Sequence, residues 1–322
     1  MSALLDVADL QVTLLGARGP LTVVRGVSLF LEPASTLALV GESGSGKSMT
    51  ALACLGLTPR ARVEGRVLID GMDVLADGGR GATHIRGSRA GMVFQDPQSA
   101  LHPATRVGAA VAAVVRHHRR CTRKEAEQRS LELFAEVGLD DAPRRARAFP
   151  HELSGGLRQR VAIALALAAD PKLLIADEPT TALDVTVQAK VLALLRELCR
   201  TRGLGLLLIS HDLGVVAAAA DRVAVMYAGR VVEEGPVEAV LQSPRHPYTR
   251  ALRTAVPRVT APPRTAPGCI PGQPPLAGAL PPGCPFHPRC PRAIDTCSRA
   301  EPVLSECSRG WSAACPVTER DT

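Results

Sequence analysis

A glycine-rich octapeptide is the strongest candidate for chemistry in the sequence. It has the spacing G-x-x-x-x-G-K-S, follows the apolar run Thr36–Val40 and precedes the helical pattern Met49–Leu57. Glycines allow successive backbone N–H groups to turn toward one anion, and a helix start adds further unpaired N–H groups. The spacing predicts a phosphate-binding loop in which Lys47 reaches the β- and γ-phosphates of a nucleotide and Ser48 ligates Mg²⁺. The octapeptide consists of Gly41, Glu42, Ser43, Gly44, Ser45, Gly46, Lys47 and Ser48.

An acidic pair would supply the second part of such a site. Asp177 and Glu178 follow directly after the apolar run Leu173–Ala176. On its own, a pair of this kind is typical of a solvated strand end. In a chain that also carries a phosphate loop, a buried strand is expected to deliver both carboxylates beside the phosphates. We therefore expect Asp177 to join the Mg²⁺ shell and Glu178 to orient or deprotonate the attacking water.

These residues need a framework, and the pattern of apolar runs predicts an α/β domain. Short buried runs alternate with helical patterns, which favours a mostly parallel sheet. Three further runs near the N-terminus are closer to strict alternation and predict a small antiparallel sheet. The predicted buried strands are 36–40, 173–176, 206–209 and 223–226, the helices are 124–137 and 185–199, and the antiparallel strands are 4–12, 27–31 and 63–69.

The composition changes near residue 245, which predicts a main domain at 1–245 and a loop-rich appendage at 246–322. The second region contains 15 of the 26 prolines and six of the nine cysteines. Proline at that density argues against long helices and central strands. With so few apolar residues, the appendage is not expected to fold on a core of its own.

Charge and composition exclude several classes of protein. Lys and Arg number 38 against 31 acidic residues, and aromatic residues make up 2% of the chain, so stacking platforms for nucleic acid are not expected. The basic stretch Arg116–Arg120 is interpreted as a solvated helix end. No apolar run approaches the roughly 18 residues of a membrane span, and Asp6 and Asp9 argue against a cleavable signal. We expect a soluble or peripheral cytosolic protein whose cysteines serve metal or thiol chemistry.

A third motif accompanies the phosphate loop and the acidic pair, and the three together resemble a known family. Leu153-Ser154-Gly155-Gly156-Leu157-Arg158-Gln159-Arg160 precedes a helical pattern and resembles the signature sequence of ATP-binding-cassette ATPases. Gln95 resembles the Q-loop glutamine of that family, Asp184 the D-loop aspartate and His211 the switch histidine. The resemblance implies a P-loop ATPase core with a mostly parallel sheet, a small N-terminal antiparallel subdomain, a helical signature subdomain at about 96–160 and the Pro- and Cys-rich C-terminal appendage.

The same resemblance implies roles for these residues. Two cassettes sandwich two ATP molecules, and Ser154, Gly155 and Gly156 of one cassette bind the γ-phosphate held by the other, with Asp184 near the same interface. Glu178 is the implied base, His211 contacts the γ-phosphate, and Gln95 joins the Mg²⁺ shell and relays its state to the helical subdomain. Leu14 stands where many cassettes place an aromatic side chain against adenine, so we expect a weaker stacking contact there.

Four segments narrow the resemblance to the ATPases of peptide and nickel importers. The resemblance is strongest to the oligopeptide and dipeptide group. The group implies an ATPase on the cytoplasmic side of the plasma (inner) membrane. Its partners would be two membrane permeases, a second related ATP-binding subunit and an extracytoplasmic solute-binding protein. Nucleic acid is not expected as a partner. Nickel or another small solute is the alternative cargo, and a soluble ATPase acting on nucleic acid is a more distant alternative. The segments are 94–97, 178–188, 246–249 and 283–291.

The cysteines of the appendage carry a further implication of the resemblance. Cys284, Cys290, Cys297 and Cys315 resemble the ligands of an iron–sulfur cluster in the peptide-importer group, and four thiolates match the ligand count of a 4Fe–4S cluster. Zinc and reduced free thiols are the alternatives. Cys307 competes with Cys315 for the fourth position. Among the other cysteines, Cys269 is spare, and Cys54, Cys121 and Cys199 are interpreted as ordinary packing or surface thiols.

Overall fold

Strands and helices alternate along the chain in a computed structural model that describes residues 3–17, 19–181, 183–255 and 270–317. Cys269 therefore lies outside the described residues. The strands are β1 Leu5–Gly16, β2 Gly19–Leu31, β3 Thr36–Val40, β4 Ala61–Ile69, β5 Met72–Asp73, β6 Ala90–Val93, β7 Leu173–Asp177, β8 Gly205–Ser210, β9 Arg222–Tyr227, β10 Arg230–Pro236, β11 Ser305–Ser308 and β12 Trp311–Ala313.

The helices of the described residues include one at each helical pattern of the sequence, at 49–57, 124–137, 185–199 and after the signature segment. Their bounds are α1 Lys47–Ala53, α2 Ala76–Gly79, α3 Gly81–Ile85, α4 Val107–Arg119, α5 Arg123–Glu136, α6 Ala142–Arg145, α7 Gly155–Leu167, α8 Val185–Arg202, α9 Leu213–Ala219, α10 Val237–Gln242 and α11 Pro247–Ala255. Three short 3₁₀ turns lie at Pro150–Glu152, His287–Arg289 and Asp295–Ser298. No helix among the described residues combines the length and the apolar character needed to cross a bilayer.

The chain divides into two compact units that interleave in sequence. The first unit contains β6 and β7, which pair in parallel, with β8 next to β7, and it contains the helices from α2 to α8. The bounds of the first unit are Met1–Leu5, Phe30–Ser35 and Leu68–Leu208, and those of the second are Asp6–Leu29, Thr36–Val67 and Ile209–Thr322.

The second unit is built on the strand order β11–β12–β10–β9–β3. Strand β3 pairs in parallel with β9, with Val40 opposite Val225, whereas β10 runs antiparallel to both β9 and β12. The N-terminal strands β2, β1 and β4 are neighbours in a separate sheet. The predicted α/β class and the predicted N-terminal sheet are therefore confirmed, although β1 and β2 are longer than the alternating runs indicated.

The C-terminal region departs from the expectation in one respect. Strand β12 has neighbours on both sides, so the prediction that the proline-rich region lacks interior strands is wrong. The physical reason is that the prolines are unevenly spread: none occurs from Val303 to Cys315, where β11 and β12 form an antiparallel hairpin. The chain can donate ladder hydrogen bonds through this stretch because every residue in it has a backbone N–H.

Aromatic side chains from the C-terminal region fill the core of the second unit. Tyr248, Phe286 and Trp311 are buried together with β3 and β9 residues such as Val40 and Tyr227. The ring centroids of Tyr227 and Tyr248 are 4.5 Å apart, and that of Phe286 is 5.3 Å from each of them. A region with too few apolar residues for its own core therefore becomes ordered by completing this one.

The start of the C-terminal region is fixed by a buried carboxylate on β10. Glu233 is fully buried, and its Oε1 accepts from the backbone N–H of Arg245 at 2.7 Å and from Trp311 Nε1 at 3.0 Å. Its Oε2 accepts from the backbone N–H of His246 at 2.9 Å. Three N–H donors offset much of the cost of burying this acid, although burial still raises its pKa.

His246 makes folding of this region sensitive to pH. Its side chain is buried, its Nδ1 accepts from the backbone N–H of Tyr248 at 3.1 Å, and burial lowers its pKa from 6.5 to about 3. The imidazole is therefore neutral in the folded protein at every pH above that value. Below pH 6.5 the unfolded chain binds a proton that the folded chain does not, so the stabilising contribution is present above pH 6.5 and declines as the pH falls toward 3.

We predict that His246→Asn flattens this decline, because the amide oxygen of Asn replaces the Nδ1 acceptor and does not titrate. In wild type, His246 should contribute up to about 1.4 kcal/mol per pH unit to the loss of unfolding free energy below pH 6.5. Urea unfolding between pH 4 and 8 measures the slope. The matched control is His151→Asn on an exposed residue, which should leave the slope at its wild-type value. An unchanged slope in His246→Asn would contradict the prediction.

Candidate nucleotide site

The glycine loop lies between β3 and α1, and its backbone conformation is one that only glycine accepts. Gly41, Gly44 and Gly46 have φ values of 152°, 79° and 104°. A Cβ atom on Gly41 would lie 2.2 Å from the carbonyl oxygen of Met226 on β9, and one on Gly46 would lie 2.8 Å from the carbonyl oxygen of Val23. The loop can therefore approach the neighbouring backbone closely only because these side chains are absent.

Lys47 lies inside the loop that precedes it. The residue is 5% exposed, and its Nζ donates to the carbonyl oxygens of Gly41 at 2.8 Å and Glu42 at 3.0 Å. Lys47 is also the first residue of α1, with Ser48 following it. A buried ammonium group, a glycine-rich loop and a helix start therefore lie together, and this combination is suited to phosphate.

Pairing of β6 with β7 brings two other predicted residues together in the first unit. Val93 is opposite Ala176 in the parallel register, so Gln95 and Glu178 follow the two strands at the same edge. Gln95 Nε2 donates to Glu178 Oε2 at 3.1 Å, and Thr181 Oγ1 donates to the same oxygen at 2.9 Å. The sequence patterns did not single out Thr181, although it lies three residues after the acidic pair.

The two acids at the end of β7 have different environments. Asp177 is the last residue of the strand and is 6% exposed, whereas Glu178 is partly exposed. Glu178 also has a φ of 46°, in the left-handed region that non-glycine residues rarely adopt. Strained backbone of this kind is concentrated at functional sites, where the surrounding structure must hold it in place.

The signature segment and Asp184 meet at the starts of two helices. The Ser154 side chain accepts from the backbone N–H of Leu157 and caps α7, and the Asp184 side chain accepts from the backbone N–H of Val187 at 2.9 Å and caps α8. A Cβ atom on Gly156 would lie 2.6 Å from Val187 Cγ1, so the two helix starts pack closely only with glycine at that position. Gly155 begins α7 beside it.

His211 belongs to the second unit, where it directly follows β8 and is exposed. The next residue, Asp212, caps α9 by accepting from the backbone N–H of Gly214 at 2.7 Å. The histidine is therefore presented at the end of a fully buried strand, immediately before a helix start.

Comparison with known proteins agrees with these observations. The ABC transporter family matches residues 24–181, and the family described as the oligopeptide/dipeptide transporter C-terminal region matches residues 232–297. The chain is 43% identical over 324 residues to the oligopeptide transport ATP-binding protein AppD of Bacillus subtilis, with 98% of that protein covered. It is 46% identical over 320 residues to the oligopeptide transport ATP-binding protein OppD of Escherichia coli, with 94% covered. The chain belongs to the oligopeptide-transport group of ATP-binding cassettes.

Two further matches cover a smaller share of one of the two chains compared. The cassette is 51% identical over 321 residues to OppD of Mycobacterium tuberculosis but spans only about half of that protein, 52%. Among solved structures, a dimeric ATP-binding cassette in a post-hydrolysis state with ADP and Pi is similar with a TM-score of 0.65 and 29% identity. That match covers 72% of this chain and 98% of the solved one.

Four cysteines of the C-terminal region, Cys284, Cys290, Cys297 and Cys315, lie near one another. Burial, with smaller contributions from the nearby thiols of Cys297 and Cys315, raises the pKa of Cys284 to about 11. Burial also raises the pKa of Cys290 and of Cys315, and Cys297 again adds to both. In the part of the chain that the structure describes, no three Cys, His, Asp or Glu residues are arranged to hold a metal ion, so the expected iron–sulfur site is not supported by this geometry.

The sequence patterns missed two residues that contact the phosphate loop. Arg289 forms an ion pair with Glu42 at 2.7 Å, and Tyr248 Oη accepts from the Glu42 N–H at 2.8 Å. Both residues lie in segments that had been used only for the family resemblance, at 246–249 and 283–291. No local signal in those segments indicates that they contact the phosphate loop.

The close approach of Gly41 to β9 leads to a prediction about stability. Gly41→Ala places a Cβ atom against the carbonyl of Met226, whereas Gly44→Ala has no atom within 4 Å and only an unfavourable φ. We expect Gly44→Ala to lower the free energy of unfolding by about 1–2 kcal/mol and Gly41→Ala to lower it by about 1–3 kcal/mol more. Urea unfolding compares the two variants. Equal losses would show that the approach to Met226 does not limit residue 41.

Proposed function

We propose that this cassette hydrolyses ATP as one subunit of a bacterial importer of peptides. The observation that carries the proposal is the phosphate loop, whose backbone encloses the Lys47 ammonium group at 2.8 Å and 3.0 Å from two carbonyl oxygens. The match to the oligopeptide/dipeptide transporter C-terminal region supports the choice of cargo. The relatives from Bacillus subtilis and Escherichia coli are named as oligopeptide transport ATP-binding proteins, which supports the same choice.

Residue roles follow from their chemistry and from the family resemblance. Mg²⁺, when bound, neutralises charge on the phosphate oxygens, and the oxygens of Ser48, Gln95 and Asp177 are the hard donors that it prefers. Glu178 is the proposed general base, and the two donors on its Oε2 fix the orientation of the carboxylate. In this proposal residues 41–48 bind the phosphates, His211 contacts the γ-phosphate, and Ser154, Gly155, Gly156 and Asp184 act on the nucleotide of a partner cassette.

The proposed assembly contains two membrane permeases, a second related ATP-binding subunit and an extracytoplasmic solute-binding protein reached through the permeases. The cassette would lie on the cytoplasmic face of the plasma membrane as a peripheral subunit. Selectivity for the solute would reside in the binding protein and permeases, so nickel or another small solute is the second candidate cargo. Copurification with permeases, followed by uptake of labelled peptide into vesicles, tests the assembly and the cargo separately.

We predict that Glu178→Gln retains ATP binding, traps the closed dimer and lowers the rate of ATP hydrolysis by about 10²–10⁴-fold, because the amide has the size of the carboxylate but cannot accept a proton. Phosphate release by the purified complex measures the rate, and calorimetry measures binding. Glu127→Gln on exposed helix α5 is the matched control and should hydrolyse ATP at the wild-type rate. If Glu178→Gln also hydrolyses at that rate, another group is the base or the partner's site carries the hydrolysis.

No arrangement suited to a metal ion is present among the described residues, but from the family resemblance we also propose that Cys284, Cys290, Cys297 and Cys315 hold a 4Fe–4S cluster, with a structural cross-link as its main role. The resemblance of these four positions to the cluster ligands of the peptide-importer group supports this set, and the thiols lie near enough to one another for Cys297 to add to the effect of burial in raising the pKa of the other three. The Cys307 Sγ instead donates to the carbonyl oxygen of Ser305 at 3.6 Å. Four cysteine side chains provide the complete ligand set of such a cluster.

Anaerobic purification should give a brown protein with equal amounts of iron and acid-labile sulfide. Cys315→Ser should lose the colour because it removes one of four ligands, whereas Cys307→Ser should keep it. Broad absorbance near the blue end of the visible spectrum and metal analysis provide the measurements. A colourless anaerobic protein with stoichiometric zinc, or one without metal, would contradict the cluster. Loss of colour only in Cys307→Ser would move the fourth ligand to Cys307.

A further inference from the structure

Glu42, the second residue of the phosphate loop, is held by the C-terminal region at two separate points. Its backbone N–H donates to the Tyr248 hydroxyl oxygen at 2.8 Å. Its carboxylate accepts from both terminal nitrogens of Arg289, with Nη1 2.7 Å from Oε2 and Nη2 3.0 Å from Oε1. A two-point contact between guanidinium and carboxylate fixes the plane of the acid as well as its position.

Arg289 is itself firmly positioned. Its side chain is only 5% exposed, its Nε donates to the carbonyl oxygen of Pro271 at 2.8 Å, and its Nη1 also donates to Tyr227 Oη at 3.2 Å. The guanidinium carbon lies 5.8 Å from the ring centre of Tyr227 and 5.9 Å from that of Phe286. A buried guanidinium group requires a negative partner, and Glu42 provides it.

Lys47 supplies a third support for the same residue, but one that nucleotide binding must disturb. Its Nζ donates to the carbonyl oxygens of Gly41 and Glu42 and lies 3.5 Å from Ser45 Oγ. A lysine ammonium group has three N–H donors, and acceptors within the loop already engage them. A phosphate oxygen that binds Lys47 therefore competes with the loop for a donor, whereas the contacts of Tyr248 and Arg289 leave the ammonium group untouched.

We propose that Arg289 and Tyr248 are positioning residues for the nucleotide site. They hold Glu42 by its carboxylate and its N–H, so the loop keeps its binding shape when Lys47 turns to the phosphates. A loop held in advance has less conformational entropy to lose on binding, and this preorganisation appears as affinity. The inference rests on the proposed role of residues 41–48 in nucleotide binding, and it adds that the affinity depends on residues more than 200 positions away in sequence.

A purely structural role would have a different signature. If the ion pair served only to attach the C-terminal region, its removal would destabilise that region and leave the nucleotide affinity of the folded protein unchanged. Fluorescence of Trp311 separates the two effects, since it is the single tryptophan of the chain and lies buried in the same core as Tyr248 and Phe286. Variants are therefore compared only on protein with native Trp311 fluorescence.

The test is calorimetric titration of the full chain with ADP and Mg²⁺. We expect Tyr248→Phe, which removes one hydroxyl group, to raise the dissociation constant about threefold to tenfold. Arg289→Gln removes a charged contact and should raise it about tenfold or more, with Arg289→Lys intermediate. Glu42→Gln and Arg289→Gln remove the two sides of one contact. The double variant Glu42→Gln/Arg289→Gln should therefore bind no more weakly than Arg289→Gln alone.

Two controls make the outcome decisive. Arg299→Gln removes an exposed arginine from the same C-terminal region and should bind ADP as wild type does. Lys47→Ala should abolish binding, and an unchanged dissociation constant in that variant would refute the nucleotide site itself. Loss of binding in Lys47→Ala together with wild-type affinity in natively folded Tyr248→Phe and Arg289→Gln would overturn the positioning role alone. If Arg289→Gln loses native fluorescence, Tyr248→Phe, which keeps its ring in the core, decides the question.

Discussion

The candidate site depends on one close approach, that of the phosphate-loop backbone to strand β9. Parallel pairing of β3 with β9 delivers the chain to residue 41 directly beside the carbonyl of Met226, where a side-chain atom would lie at 2.2 Å. Because glycine occupies that position, the chain can turn at once, enclose the Lys47 ammonium group and begin α1. The position of the loop, the placement of the Lys47 charge and the start of α1 therefore all depend on a contact that leaves no room for one methyl group.

The C-terminal region illustrates how a proline-rich segment becomes ordered without a core of its own. It contributes Tyr248, Phe286 and Trp311 to the core around β9, and it returns hydrogen bonds to the buried carboxylate of Glu233. Each contact is made with residues of the cassette's own sheet. The region is therefore an integral part of the second unit, since removing it would expose apolar surface and take two of the three N–H donors from a buried acid.

Sequence patterns predicted the parts of the molecule that depend on local information. Strand β3 and the acidic end of β7 were predictable because buried parallel strands appear as short continuous apolar runs, and the glycine loop because its spacing is tied to backbone geometry. The left-handed backbone of Glu178 and the hairpin at β11 and β12 were not, because both depend on surrounding tertiary structure. The pairing of Arg289 with Glu42 joins residues 247 positions apart, and neither residue is unusual in its own segment.

That separation also has a consequence for biosynthesis. The ribosome synthesises the glycine loop before the residues that support it. Tyr248 lies 206 residues after Glu42, and Arg289 lies 247 residues after it. Long-range contacts of this kind cannot form until both ends of the chain are available, and they are among the last to be gained in folding. While the residues between Glu42 and Arg289 are being synthesised, the nascent chain therefore carries a phosphate loop without both of the side chains that hold Glu42, and the two supports form only when the C-terminal region joins the core.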